Sequence, residues 1–236
     1  MLNVFLLMGQ SNMAGRGLLS EVKAIESPNI QVFRNHQWEP AREPLHEDRP
    51  TAGVGLAMSF AETMIEKYPQ AQIGLIPCAV GSSPLNKWLE GAELYIRGIA
   101  MAREGARNAT IKGILWHQGE NDSQNQEDAV SYLDRFAGMI AAMRRELDVF
   151  GVPVIVGELG DYLKDKVNYD HFQIVNACLR KAGEVVPRCG CASSKGLTHK
   201  GDNLHFNASS LRQLGNRYAR EYLRLAAQHG VVLAGS

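Results

Sequence analysis

Short apolar or β-branched runs alternate with longer amphipathic stretches along nearly the whole chain. Residues 3–8, 30–33, 72–77, 111–116, 152–157 and 189–193 read as strands. Between them, residues 53–68, 93–107, 127–147, 169–185 and 208–228 carry apolar side chains at helical spacing, as Leu56, Phe60, Met64 and Ile65 do in the first. Asn207 precedes the last stretch in the place of a helix cap. Strands that alternate with helices bury both faces of a mostly parallel sheet, so the expected fold is a three-layer α/β/α sandwich. With 236 residues, no linker and no repeat, the chain reads as one domain over residues 1–236. Two segments interrupt the alternation. Residues 34–51, rich in Pro, His and Trp, and residues 82–91 read as loops over the rim of the sheet, where the walls of a cleft are built.

Charge removes several function classes. Lys plus Arg and Asp plus Glu are equal at 25 each, which leaves no overall field to draw in nucleic acid or an anionic membrane. A neutral or weakly charged small molecule fits better, and the sequence leaves the oligomeric state open. The first strand begins at once, with no basic leader before it, and no apolar run nears the roughly 20 residues of a membrane helix. A cytoplasmic location is the resulting expectation. The four cysteines, Cys78, Cys178, Cys189 and Cys191, lack the spacing of a zinc site, and Cys189 and Cys191, alternating with Gly190 in a strand-like stretch, read as buried free thiols. There is no phosphate loop and no paired-histidine zinc motif, so neither a metal nor a nucleotide cofactor is expected.

Parallel sheets bind ligands at the carboxyl ends of their strands, and four motifs lie there. Ser11 follows the first strand, Val80-Gly81-Ser82-Ser83 follows 72–77, His117-Gln118-Gly119-Glu120 follows 111–116, and Glu158 ends 152–157. A serine so placed proposes nucleophilic catalysis, which requires a histidine and an acid, and Asp202-Asn203-Leu204-His205 contains both. Ser11 would attack, His205 would take its proton, and Asp202 would orient the imidazole. The amides of Ser11 and Gly81 and the side chain of Gln118 would form the oxyanion hole. Each residue also has an ordinary structural use: a serine caps helices and a glycine makes turns. The ordinary uses do not explain why all of these stand in one order at one mouth.

Together, Gly9-Gln10-Ser11-Asn12-Met13, His117-Gln118-Gly119-Glu120 and Asp202-x-x-His205 resemble the signature of SGNH hydrolases. The resemblance is to the sialate O-acetylesterase and acetyl xylan esterase branch, carbohydrate esterase family 6, and spans nearly the whole chain. It implies a flavodoxin-like sandwich with a five-stranded parallel core and metal-independent removal of acetyl groups from sugar hydroxyls through a serine acyl-enzyme. It gives Ser11, Asp202 and His205 as the triad and Gly81 and Gln118 as oxyanion donors, with Gln10 and Asn12 in support. In the wider family an Asn follows a Gly in the third block, whereas here Gln118 precedes Gly119, as in this branch.

Glu120 and Glu158 are further acids of the mouth, and Glu158 competes with Asp202 as the orienting carboxylate. Asp202 is favoured, because three residues before the base one short turn holds it close. For the rim, Trp38 and Trp88 offer faces for a sugar ring, and Arg16 follows the nucleophile by five residues. The expected substrates are acetylated xylan fragments or O-acetylated sialic acids. Other small acyl esters or thioesters, or glycan binding without catalysis, are the alternatives. A histidine base implies activity falling with pH through roughly 6 to 7.

Overall fold

The computed structural model describes residues 1–235. Its strands are β1 (Leu2–Gly9), β2 (Ile30–Arg34), β3 (Gln37–Pro40), β4 (Gln72–Pro77), β5 (Ala109–His117), β6 (Val154–Gly157) and β7 (Cys189–Ala192). Its helices are α1 (Ser11–Ala14), α2 (Ala57–Lys67), α3 (Glu93–Gly105), α4 (Gln126–Val130), α5 (Tyr132–Leu147), α6 (Phe172–Val185) and α7 (Ala208–His229). One sheet runs in the order β3-β2-β4-β1-β5-β6-β7, every pairing parallel except β2 with β3. Residues Val4 to Met8 of β1 are buried apolar side chains, as a strand covered on both faces requires.

Aromatic rings tie the layers together. On one face Phe5 of β1 meets Phe60 of α2 and Tyr222 of α7 edge-on, at centroid distances of 4.9 and 5.1 Å. On the other face Trp116 of β5 packs against Trp88 and against Phe136 of α5. Helices α2 and α7 thus cover one side, and α3, α5 and α6 the other.

The sheet is larger than the expected five strands. Part of the difference lies in 34–51, read as loop, which contributes β3. Chain reversal between β2 and β3 uses only Asn35 and His36, both at positive φ (47° and 64°), the geometry of a tight hairpin. An Asn-His pair lacks the glycine that advertises such a turn. The helix expected from residue 53 begins only at Ala57, because Gly53 to Gly55 run alongside the segment after α1. There Val54 donates to Gly17 O (2.8 Å) and accepts from Gly17 N (3.1 Å). The stretch 127–147 is two helices that meet at Ser131, whose hydroxyl donates to Glu127 O.

Candidate active site

Strand β1 leaves the sheet through Gly9 at φ 125°, where a Cβ would fall 2.1 Å from the carbonyl oxygen of His117. Only glycine fits that turn. The Gln10 amide then donates to His117 O at 2.9 Å, and Ser11 opens the short helix α1. As the first amide of that turn, Ser11 N–H has no intrahelical acceptor.

The segment before α7 brings a histidine to it. Asp202 Oδ1 accepts from the amides of Leu204 (3.0 Å) and His205 (2.8 Å), and its Oδ2 stands 2.7 Å from His205 Nδ1. His205 Nε2 is 3.0 Å from Ser11 Oγ. With Nδ1–H given to the carboxylate, Nε2 is left as the acceptor for the serine hydroxyl. Burial lowers the His205 pKa, an effect the adjacent carboxylate opposes and Lys200 and Arg16 reinforce. Burial alone would raise Asp202, but the hydrogen bonds from His205 and Leu204 hold its carboxyl below the usual range.

Asn12 fastens this segment to the turn that carries Ser11. Its amide donates to Leu204 O (3.1 Å) and to Glu120 Oε1 (2.5 Å), and its oxygen accepts from Phe206 N (3.1 Å). Gln10 serves the third block: its Oε1 accepts from Gln118 Nε2 (3.1 Å) and lies 3.4 Å from the amides of Gly119 and Asn121.

Other residues stand differently from expectation. Gln118 is fully buried, and its Nε2 is shared among Gln10 Oε1, Ser83 O and Asp122 Oδ2 (2.6 Å), while its Oε1 accepts from Tyr132. A buried amide must satisfy itself inside the fold, so no N–H of Gln118 is left to aim at Ser11. The Gly81 amide donates to Asp48 Oδ2 at 2.7 Å, and the same oxygen takes Arg16 Nη2 at 2.6 Å. Arg16 is therefore no exposed rim residue but half of a buried ion pair. Burial opposes ionisation of Asp48, yet Arg16 and the Gly81 amide keep its pKa low. Asp48 escaped sequence reasoning because nothing in the 34–51 stretch distinguishes it from a solvated loop acid.

Glu158 does not reach His205. It binds Arg180 (2.7 Å), the Ser193 hydroxyl (2.7 Å) and the Ser194 amide (3.0 Å), an arrangement that fixes the end of β7. Trp88 is excluded from sugar contact by burial, donating to Ser83 Oγ. Trp38 stands on the edge strand β3, with β2 and β4 between it and β1, and lies against Phe33, donating to Gly105 O. Glu120 is buried beside His117. Desolvation lifts the Glu120 carboxyl to about 7 and depresses His117 to about 3.

No helix among the described residues is long and apolar enough to cross a membrane. Residues 1–224 match the model of the family described as carbohydrate esterase, sialic acid-specific acetylesterase. The chain is 34% identical to the probable carbohydrate esterase At4g34215 of Arabidopsis thaliana, over 93% of this chain and 90% of the other. The X-ray structure of that plant protein superposes with a TM-score of 0.85 at 30% identity, over 94% and 98% of the two chains. NanS superposes at 0.79 with 18% identity, over 96% and 98%, a likeness of fold. XAC1771, a carbohydrate acetylesterase of Xanthomonas citri, does so at 0.72 with 19% identity, over 98% of this chain and 58% of the other. The chain belongs to the sialic acid-specific acetylesterase family of carbohydrate esterases, and is a carboxylic ester hydrolase of the carbohydrate acetylesterase kind.

Proposed function

We propose that the protein removes O-acetyl groups from sugars, with acetylated xylan fragments or O-acetylated sialic acids as substrates, through an acyl-enzyme on Ser11. The unbroken chain Ser11 Oγ, His205 Nε2, His205 Nδ1, Asp202 Oδ2, with links of 3.0 and 2.7 Å, carries the proposal. Ser11 Oγ attacks the acetyl carbonyl carbon while His205 takes the hydroxyl proton, and Asp202 holds the imidazolium. The tetrahedral oxyanion meets the Ser11 amide, and the Gly81 amide once Asp48 yields it. Collapse breaks the bond to the sugar oxygen, which leaves with the proton from His205. A water, deprotonated by the same nitrogen, then releases acetate and restores Ser11.

The test is acetate release from acetylated xylo-oligosaccharides and from O-acetylated sialic acids, by wild type and by Ser11→Ala, with folding checked by circular dichroism. Release that drops at least ~10³-fold in the mutant is expected. Nitrophenyl ester hydrolysis that rises from acetate to octanoate would replace the acetyl reading with a longer acyl chain, and glycan binding without cleavage would replace catalysis altogether.

A further inference from the structure

Two buried polar atoms beside the site, His117 Nε2 and Glu120 Oε2, have no hydrogen-bond partner in the structure. The side chains are 0% and 1% exposed, and His117 Nε2 lies 3.9 Å from Glu120 Oε1. The proton on His117 can be placed. Tyr218 donates its only hydrogen to Trp116 O at 2.8 Å, so at 2.9 Å it accepts from His117 Nδ1–H. Nε2 therefore carries the lone pair. An ionised Glu120 would set a second acceptor against it, and unsatisfied buried acceptors cost on the order of 1 to 3 kcal/mol each. A proton on the carboxyl removes the buried charge and supplies a donor on the side of that lone pair, within a small side-chain adjustment of it. The other oxygen, Oε1, already takes the Asn12 amide at 2.5 Å, and Asn12 holds Leu204 O and Phe206 N on either side of His205.

We propose that Glu120 is a proton-bearing positioning residue, a neutral acid beside the His117 lone pair whose Oε1 orients Asn12, which keeps His205 in line with Ser11. The reading rests on the acetylesterase proposal for its kinetic consequence, but not for the proton itself. The titratable groups around Glu120 offer an anion no cationic partner. They are His117 of β5, Asp122 after it, Tyr132 of α5, Tyr162 and Tyr169 before α6, and Tyr218 of α7. Desolvation supports the same state, holding the carboxyl protonated up to about pH 7. Loss of that proton sets a buried charge against the His117 lone pair and shifts the carboxylate that holds Asn12, so activity should fall on the alkaline side.

The experiment compares kcat and KM against pH for wild type, Glu120→Gln and Glu120→Ala. The amide of E120Q offers a donor on the side of His117 and an acceptor to Asn12 but cannot ionise. It should recover most of what E120A loses below pH 7, and its profile should lack the alkaline fall. E120A should lose about 10²-fold in kcat with KM little changed, the size of loss that a misplaced base brings. An alkaline fall of wild-type shape in E120Q, or wild-type kcat in E120A, overturns the proposal. Infrared spectroscopy reads the proton without substrate. The carbonyl stretch of a protonated carboxylic acid should be present in wild type at pH 6, vanish on titration through about pH 7 and be missing from E120Q; its absence from wild type at pH 6 overturns the proposal even if E120A fails to fold. Should no acetyl ester be cleaved, the acetylesterase reading fails by itself. The positioning role is then read from the pH dependence of Ser11 labelling by an organophosphonate, which must show the same difference between wild type and E120Q.

Discussion

Asp202 divides its two oxygens between two tasks: Oδ1 gathers the amides of Leu204 and His205, and Oδ2 faces the imidazole. One carboxylate thus shapes the turn and selects the tautomer. Asp202→Asn should therefore lower kcat by at least ~10²-fold, because a carboxamide can turn an N–H toward the ring and favour the wrong tautomer. Glu158→Gln should change kcat only a few-fold, since Glu158 serves Arg180 and β7. The reverse ranking in folded mutants would reassign the orienting acid. A second expectation concerns pH. Because burial lowers the His205 pKa, its imidazole stays neutral below the ordinary histidine range. The acid limb of kcat/KM should lie lower than the 6 to 7 of an unperturbed histidine, and a limb at or above that range would show that burial does not set this pKa. The contacts among Ser11, His205 and Asp202 were legible in the sequence because short motifs with a fixed chemical logic mark them. Gln118, Trp88 and Trp38 were not, since whether a polar or aromatic side chain faces the cleft or the core depends on neighbours remote in sequence, such as Asp122 and Trp116.

At the level of elements, the helix that follows His205 has a cap with two duties. Asn207 accepts from the Ser210 amide at 2.8 Å, capping α7, and its own amide donates to Thr198 at 2.8 Å, tying the entry of α7 to the segment before the His205 turn. Asn207→Ala should cost about 1 kcal/mol of stability in urea unfolding. A change under a few tenths of that would show the cap to be dispensable. Most parallel strands and the long helices could be read from periodicity, which reports burial on one face or on both. The β2–β3 hairpin could not, because its turn relies on Asn35 and His36 in a conformation that glycine usually takes. The start of α2 was displaced for a related reason: Gly53 to Gly55 are held by the backbone at Gly15 and Gly17, a contact with no periodic trace.

Over the whole molecule, the order of the sheet explains why the site is built from distant parts of the chain. Strand β1 pairs with β4 on one side and β5 on the other, so Gly9 delivers Ser11 between the loops that carry Gly81 and Gln118. The last part of the chain returns to the first: the side chain of Asn3 accepts from the Ala234 amide at 2.8 Å and donates to Ala234 O at 3.0 Å. This arrangement sets a schedule for biosynthesis. Strand β1 is buried from Asn3 to Gly9, yet both its neighbours emerge after it and His205, the proposed base, later still. A nascent chain on the ribosome therefore carries an apolar β1 with an open edge until β4 and β5 have been translated, a period in which such edges pair wrongly or recruit chaperones. On the proposed mechanism hydrolysis can begin only after the residues around His205 have left the exit tunnel, long after β1 and Ser11 have emerged.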